Sequence, residues 1–161
     1  MKNLRIISVM LVLGMLFTSC EKEQKKEWNK YYGYTNEEIV GSYSYSKVED
    51  AFDGLTESAY CHVCEDAKIS VTAGSGGTIE FKVNCPSDEF DRTFEGVPRL
   101  NDDDFLINMT APSWNPVYEL TAYVYKNDKG QIRIHGFARH VHNAGTLEEY
   151  KVNYYFDVIK N

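Results

Sequence analysis

From Gly41 onward apolar and polar positions alternate with a period of two, the pattern of strands that bury one face, and no stretch carries a convincing helical period. The clearest case is near the C-terminus. There Tyr150, Val152, Tyr154, Phe156 and Val158 alternate with Glu149, Lys151, Asn153, Tyr155 and Asp157. One face is apolar or aromatic and the other is mostly polar. The pattern recurs in Ala67-Ile69-Val71-Ala73, Ile79-Phe81-Val83-Cys85, Phe105-Ile107-Met109, Tyr118-Leu120-Ala122-Val124 and Ile132-Ile134-Gly136-Ala138. Tyr43 and Tyr45 mark a first strand, and Phe90 with Phe94 a weaker one over 90–97, so eight strands are predicted.

Turn signals separate them: Gly74 to Gly77, Pro98 with Asn101 to Asp104, Pro112 to Pro116, Asn127 to Gly130, and Asn143 to Gly145. Short links make consecutive strands antiparallel neighbours. A meander of half-apolar strands hides its apolar face by closing into a barrel or by folding into a β-sandwich. Closure also removes unpaired edges, which favours an eight-stranded antiparallel barrel and leaves the sandwich as the alternative.

Opposed residues must point to the same side, which limits the register. Pairing Val124 with Ile132 sets Tyr123 opposite Arg133 and Thr121 opposite His135. Pairing Ala138 with Tyr150 sets Arg139 opposite Glu149 and Arg133 opposite Tyr155. Tyr123, Arg133 and Tyr155 are then expected in one outer row, a candidate partner surface because aromatics grouped around Arg anchor interfaces. The inner face supplies Tyr43, Tyr45, Tyr118, Tyr150, Tyr154 and Phe156 as candidate ligand-binding residues, since phenols offer apolar walls with hydrogen-bonding ends. The competing expectation is that these rings simply fill a small barrel.

Upstream of the strands the pattern changes. Lys2 and Arg5 precede an apolar run from Ile6 to Phe17, broken by Ser8 and Gly14, that is too short for a comfortable membrane span and reads as a secretory signal. Leu16-Phe17-Thr18-Ser19-Cys20 resembles a bacterial lipobox, which makes residues 1–19 a lipoprotein signal peptide and Cys20 the lipidated residue. Residues 20–34 follow as a lipid-anchored tether that begins with the charged run Glu21 to Glu27. Trp28, Tyr31, Tyr32 and Tyr34 point to the start of ordered structure near Trp28, and the β domain spans 35–161.

A lipobox, a charged tether, the lead-in Asn36-Glu37-Glu38-Ile39-Val40, a first strand opening Gly41-Ser42-Tyr43 and a Tyr-rich last strand together resemble the small lipocalin-like (calycin-like) lipoproteins of Bacteroidota. Gly41-Ser42-Tyr43 stands where lipocalins carry Gly-x-Trp. The resemblance covers residues 35–161. It implies an eight-stranded barrel at the cell envelope, anchored to the outer membrane and either periplasmic or surface-exposed, in a family of mostly unassigned function. It implies no catalytic residues.

Charge and cysteine content narrow the function. The 161 residues carry 17 Lys and Arg against 24 Asp and Glu, a net charge of -7. Removing the first 19 residues takes away only Lys2 and Arg5, which leaves -9 and excludes a phosphate-backbone partner. Besides Cys20 there are Cys61, Cys64 and Cys85, an odd number for an exported chain. One disulfide plus a free thiol is expected, with Cys64–Cys85 favoured and Cys61–Cys85 or Cys61–Cys64 as the other pairings. The alternative is a metal-binding or thiol-redox module on Cys61, Cys64 and Cys85, with His62, His140 or His142 completing a zinc site. His140 and His142 share one side of an extended segment, a geometry that chelates metals but more often marks loop surface. Asn101 to Asp104 lacks the spacing of a calcium loop. Neither a nucleophile motif nor a phosphate loop is present, and Asp88 and Asp91 sit beside turns. The reading is a non-enzymatic envelope lipoprotein that needs no cofactor or metal. Its partners are the membrane, through Cys20, and a small apolar or aromatic ligand or an envelope protein.

Overall fold

A computed structural model describes residues 28–46, 58–96, 106–110 and 117–161, and the expectations for the signal segment, the charged tether, Asn101 to Asp104 and Pro112 to Pro116 lie outside them. Within them the period-two segments are strands of one sheet. In chain order these are β1 (Asn29–Lys30), β2 (Gly41–Tyr45), β3 (Cys61–Val63), β4 (Lys68–Ala73), β5 (Ile79–Cys85) and β6 (Phe90–Gly96). They continue with β7 (Leu106–Thr110), β8 (Val117–Lys126), β9 (Ile132–His142) and β10 (Tyr150–Lys160). A single turn of helix, α1 (Asn36–Ile39), precedes β2. Neighbours run β1-β8-β9-β10-β2-β4-β5-β6, with β7 also beside β8 and β3 beside β10. Every pairing is antiparallel except that of β3 with β10.

The eight strands expected from alternation are β2 and β4 to β10. β1 and β3 are additions, too short to show a period. Both fill edges: β1 continues the edge of β8 past β7, and β3 continues the edge of β10 past β2. The fold is all-β, and among the described residues the sheet is not closed. β6 and β7 bring Cα atoms within 8 Å of each other without forming a ladder.

Even-numbered positions of β8, β9 and β10 face inward and join the odd-numbered ones of β4 and β5. Tyr43, Phe81, Phe94 and Phe156 are fully buried there, with Ile39, Ile69, Ile79, Leu120, Ile134, Val71 and Val83 around them. Each large apolar side chain so placed contributes about 1.5–3 kcal/mol of burial. Tyr43 and Phe156, expected as ligand contacts, are core residues, and the Tyr43 hydroxyl donates to the Ile39 carbonyl at 2.6 Å. The inner face of this end is thus filled by side chains.

α1 stoppers that end. Thr35 and Glu38 form a capping box, with Glu38 N donating to Thr35 Oγ1 at 3.3 Å and Thr35 N to Glu38 Oε2 at 2.9 Å. Tyr31 Oη donates to Glu38 Oε1 at 2.8 Å, and Lys126 Nζ lies 3.2 Å from the same oxygen. The Thr35 backbone bond, then those from Tyr31 and Lys126, hold the Glu38 carboxyl below its ordinary range. Lys160 Nζ donates to the Glu38 carbonyl at 2.7 Å, and Asn36 Nδ2 to Gly77 O at 2.9 Å. A four-residue helix is too short to persist alone, so these ties and buried Ile39 hold it.

The ladders have the expected parity but a different register. Val124 pairs with Ile134 and Ala138 with Tyr154, shifts of two and four residues. The first shift follows from a wider turn, residues 127–131 between paired Lys126 and Ile132, in which Asn127 Oδ1 accepts from Lys129 N at 3.1 Å and from Gln131 N at 2.9 Å. The second arises because β9 continues through His142, opposite Tyr150. Tyr123, Arg133 and Tyr155 therefore do not form one row. Tyr125 faces Arg133, Tyr123 faces His135 and Tyr155 faces Phe137.

Candidate functional site

At the end of the sheet opposite α1, where β8, β10 and β6 begin and β9 ends, the inward positions carry rings. Tyr150 stacks on His142 with centroids 4.4 Å apart and planes 6° from parallel. His142 lies 3.6 Å from His140, and His140 stacks on Tyr118 at 4.5 Å. Tyr118 meets Phe90 edge-on at 6.4 Å, Phe90 stacks on Tyr154 at 4.1 Å, and Tyr154 stacks on His62 at 5.2 Å. Tyr60 stands edge-on to Tyr150 at 5.8 Å. The run thus passes without interruption from Tyr60 to His62, and this ring-bearing end of the sheet is termed the mouth. Phe90 is buried, Tyr118, Tyr154, His140 and His142 are half-buried, and Tyr60 and Tyr150 are 57% and 41% exposed.

The backbone explains why these side chains meet. His140 and His142 keep the inward parity of Ile132, Ile134, Gly136 and Ala138 and pair with Tyr118 and Tyr150 on the flanking strands. The pair belongs to the ladder, not to loop surface. His62 enters from β3, which runs beside β10 in the register Cys61–Asn153, His62–Tyr154. Asp88 arrives on a single 3₁₀ turn, Pro86–Asp88, after β5. That turn is held by Ser87, whose N and Oγ donate to Asp66 at 2.9 and 3.0 Å. The Cys64–Cys85 disulfide ties the end of β5 to the residue after β3.

Charged groups complete the mouth. His62 Nδ1 lies 2.9 Å from Asp88 Oδ1. The Arg92 guanidinium sits 5.0 Å over the Tyr118 ring and 5.9 Å from that of Phe90. Arg92 occupies an inward position between buried Phe90 and Phe94, yet it is exposed, and among the described residues β6 has no ladder partner on that side. Burial, then the neighbouring His142 and Arg92, push the His140 imidazole down to about 4. Burial raises the Tyr154 phenol, with Asp88 adding to the effect. His140 Nε2 is buried without a hydrogen-bond partner.

Of the expected ligand residues, the structure gathers Tyr118, Tyr150 and Tyr154 here and leaves Tyr43 and Phe156 in the core. Tyr45, half-buried beside Val158, makes no ring contact with them among the described residues. Phe90, Arg92, His62, Asp88 and Tyr60 were not expected. The inward parity of His140 and His142 was a signal in the sequence that carried the mouth two residues beyond the predicted strand. Nothing local announced Arg92, because its role comes from the missing partner of β6.

The disulfide occupies two of the three thiols on which a zinc or thiol-redox site would rest. Cys61, half-buried and free, keeps register with Asn153 on the other side of β3 from His62. Among the described residues no group of three His, Cys, Asp or Glu side chains is placed to hold a metal.

On the outer face Arg133 is an ion-pair partner more than an exposed anchor. Its Nε donates to Asp157 Oδ1 at 2.7 Å and its Nη2 to Oδ2, with Asp157 fully buried and Arg133 8% exposed. His135 Nδ1 lies 3.7 Å from the same carboxylate, and the Trp28 and Tyr125 rings lie 5.7 and 5.3 Å from the guanidinium. A separate cleft of about 520 Å³ opens beside α1, bordered by Glu38, Lys126, Lys129, Ile132 and Lys160. Among the described residues no helix is long and apolar enough to cross a membrane. Comparison of the chain with protein-family models, curated proteins and solved structures finds no match.

Proposed function

We propose that this is a non-enzymatic envelope lipoprotein, held by lipid on Cys20, whose ring-lined mouth binds a small apolar or aromatic molecule without transforming it. The unbroken run of rings from Tyr60 to His62 carries this reading. Such a surface gives up water readily, and its phenols and imidazoles orient a polar substituent. The packed inner face supports a ligand held at the mouth over one in a deep cavity. The approach of β6 to β7 supports a calycin-like barrel, closed along that seam, as the scaffold. A protein partner that inserts an aromatic side chain would use the same rim of Tyr60, Tyr150 and Leu147, all exposed.

Titration with the neutral fluorescent probe phenylnaphthylamine tests the mouth. Wild-type protein is expected to enhance its emission saturably, and Tyr150→Ala to weaken binding about fivefold or more, a hot-spot-sized loss. Absence of binding by the wild type, or an unchanged Tyr150→Ala, refutes the reading. Cys20→Ser is expected to move the full-length protein from the membrane fraction to the soluble fraction. Retention at the membrane refutes the anchor.

A further inference from the structure

Building on the mouth as a binding site, we infer that its ligand is an anionic aromatic, a planar ring bearing a carboxylate or sulfonate, with the acidic group held by Arg92 beside His140. Two observations independent of the ring run meet at Tyr118. The first is a cation at an inward strand position without a carboxylate partner among the described residues. Arg92 donates one bond, from Nη1 to the Asp91 carbonyl at 2.6 Å, and otherwise lies over the Tyr118 and Phe90 rings. In a chain of 24 acidic residues, Lys82, Arg133 and Arg139 by contrast all have carboxylate partners. The second is the orphaned His140 Nε2, stacked on that same ring.

Both need what an acidic ligand brings. A carboxylate or sulfonate presents several acceptor lone pairs, enough for the guanidinium fork and for an imidazole N–H together. Among the described residues Asp88, the acid at the mouth, is engaged by His62. The groups facing His140 are His142 on its own strand, Tyr118 from β8 and Arg92 from β6, while Val152 opposite it on β10 is apolar. None of these is an anion. Arg92 and His142 beside His140 form a local positive field that attracts one, although the protein as a whole is acidic. The Tyr150–His142–His140–Tyr118 column leads from the exposed rim to the ring beneath Arg92, so a planar ligand meets ring contact first and the cation at the far end.

Two probes of similar ring content separate the ligand class from the site. Anilinonaphthalene sulfonate carries the anion and phenylnaphthylamine does not. On folded protein near neutral pH, the sulfonate is expected to bind about tenfold more tightly than the neutral probe, the size of one charge-assisted contact. Arg92→Gln is expected to abolish that preference by weakening the sulfonate about tenfold, well beyond any change in the neutral probe's affinity, and Arg92→Lys to retain part of it. Saturating sulfonate is expected to move the His140 imidazole titration, followed by NMR, to higher pH. Equal affinities for the two probes, or a sulfonate affinity unchanged in Arg92→Gln, overturn the anionic class while leaving the mouth as a binding site. Failure of both probes overturns the binding reading and this inference together.

Discussion

Replacing Arg133 tests the physics of the outer face most directly. The Asp157 carboxylate is fully buried, and Arg133 supplies both of its side-chain hydrogen bonds. With Arg133→Met the carboxylate keeps only the distant His135, 3.7 Å away. An uncompensated buried charge costs about 3–5 kcal/mol, several times the worth of an exposed pair. Asp157→Leu is expected to cost less, about 2 kcal/mol, because the guanidinium is 8% exposed, retains the Trp28 and Tyr125 rings, and can carry its head to water on a flexible stem. Replacing both residues removes the charges together and is expected to fall within about 1 kcal/mol of the wild type. Urea unfolding followed by near-ultraviolet circular dichroism on the four proteins closes the cycle, with a coupling of about 3 kcal/mol or more expected between the sites. Single variants that each cost less than about 1 kcal/mol, or a double variant that costs their sum, would refute a buried, mutually dependent pair.

Further outcomes follow from the same coordinates. Gly136→Ala places a methyl 2.2 Å from the Thr121 carbonyl oxygen and 2.6 Å from Ala122 Cα, both backbone atoms, so it is expected to destabilise by about 3 kcal/mol in thermal melts. Cys85→Ser opens a link across a sequence separation of 21 and is expected to cost about 3 kcal/mol of chain entropy, measured as a lowered denaturation midpoint. His140, at about 4 when folded against about 6.5 when unfolded, stays neutral in the native state while the unfolded chain takes up its proton. Its contribution therefore falls as pH drops from about 6.5 towards 4. Partial exposure reduces the loss to about 1–2 kcal/mol, and an NMR titration of His140 near 6.5 would contradict it.

Alternation alone disclosed eight strands and the side each residue faces, because parity survives any slip of two. It did not disclose where a hairpin stops. The Asn127 amide holds a wider turn at one hairpin, and at the other His142 continues the ladder where the composition reads as loop. Those shifts separate Tyr123 and Tyr155 from Arg133 and bring His142 under Tyr150. The Cys64–Cys85 pair was legible from ladder distance. Cys64 nonetheless lacks the in-register parity, and it reaches Cys85 from the turn after β3. Asp88 and Arg92 had no local mark, since one depends on a single 3₁₀ turn and the other on an edge left without a partner.

β10 joins three other strands: β9 along its whole length, β2 near its end and β3 in its middle. It emerges from the ribosome more than a hundred residues after its partner β2. Hairpins such as β8–β9 can form early, but the sheet acquires its middle only when residues more than a hundred positions apart meet. Such non-local pairing slows folding and makes it depend on the complete chain. A polypeptide lacking the eleven residues of β10 would leave β9 and β2 with bare edges, so assembly is expected to be all-or-none and to wait for β10.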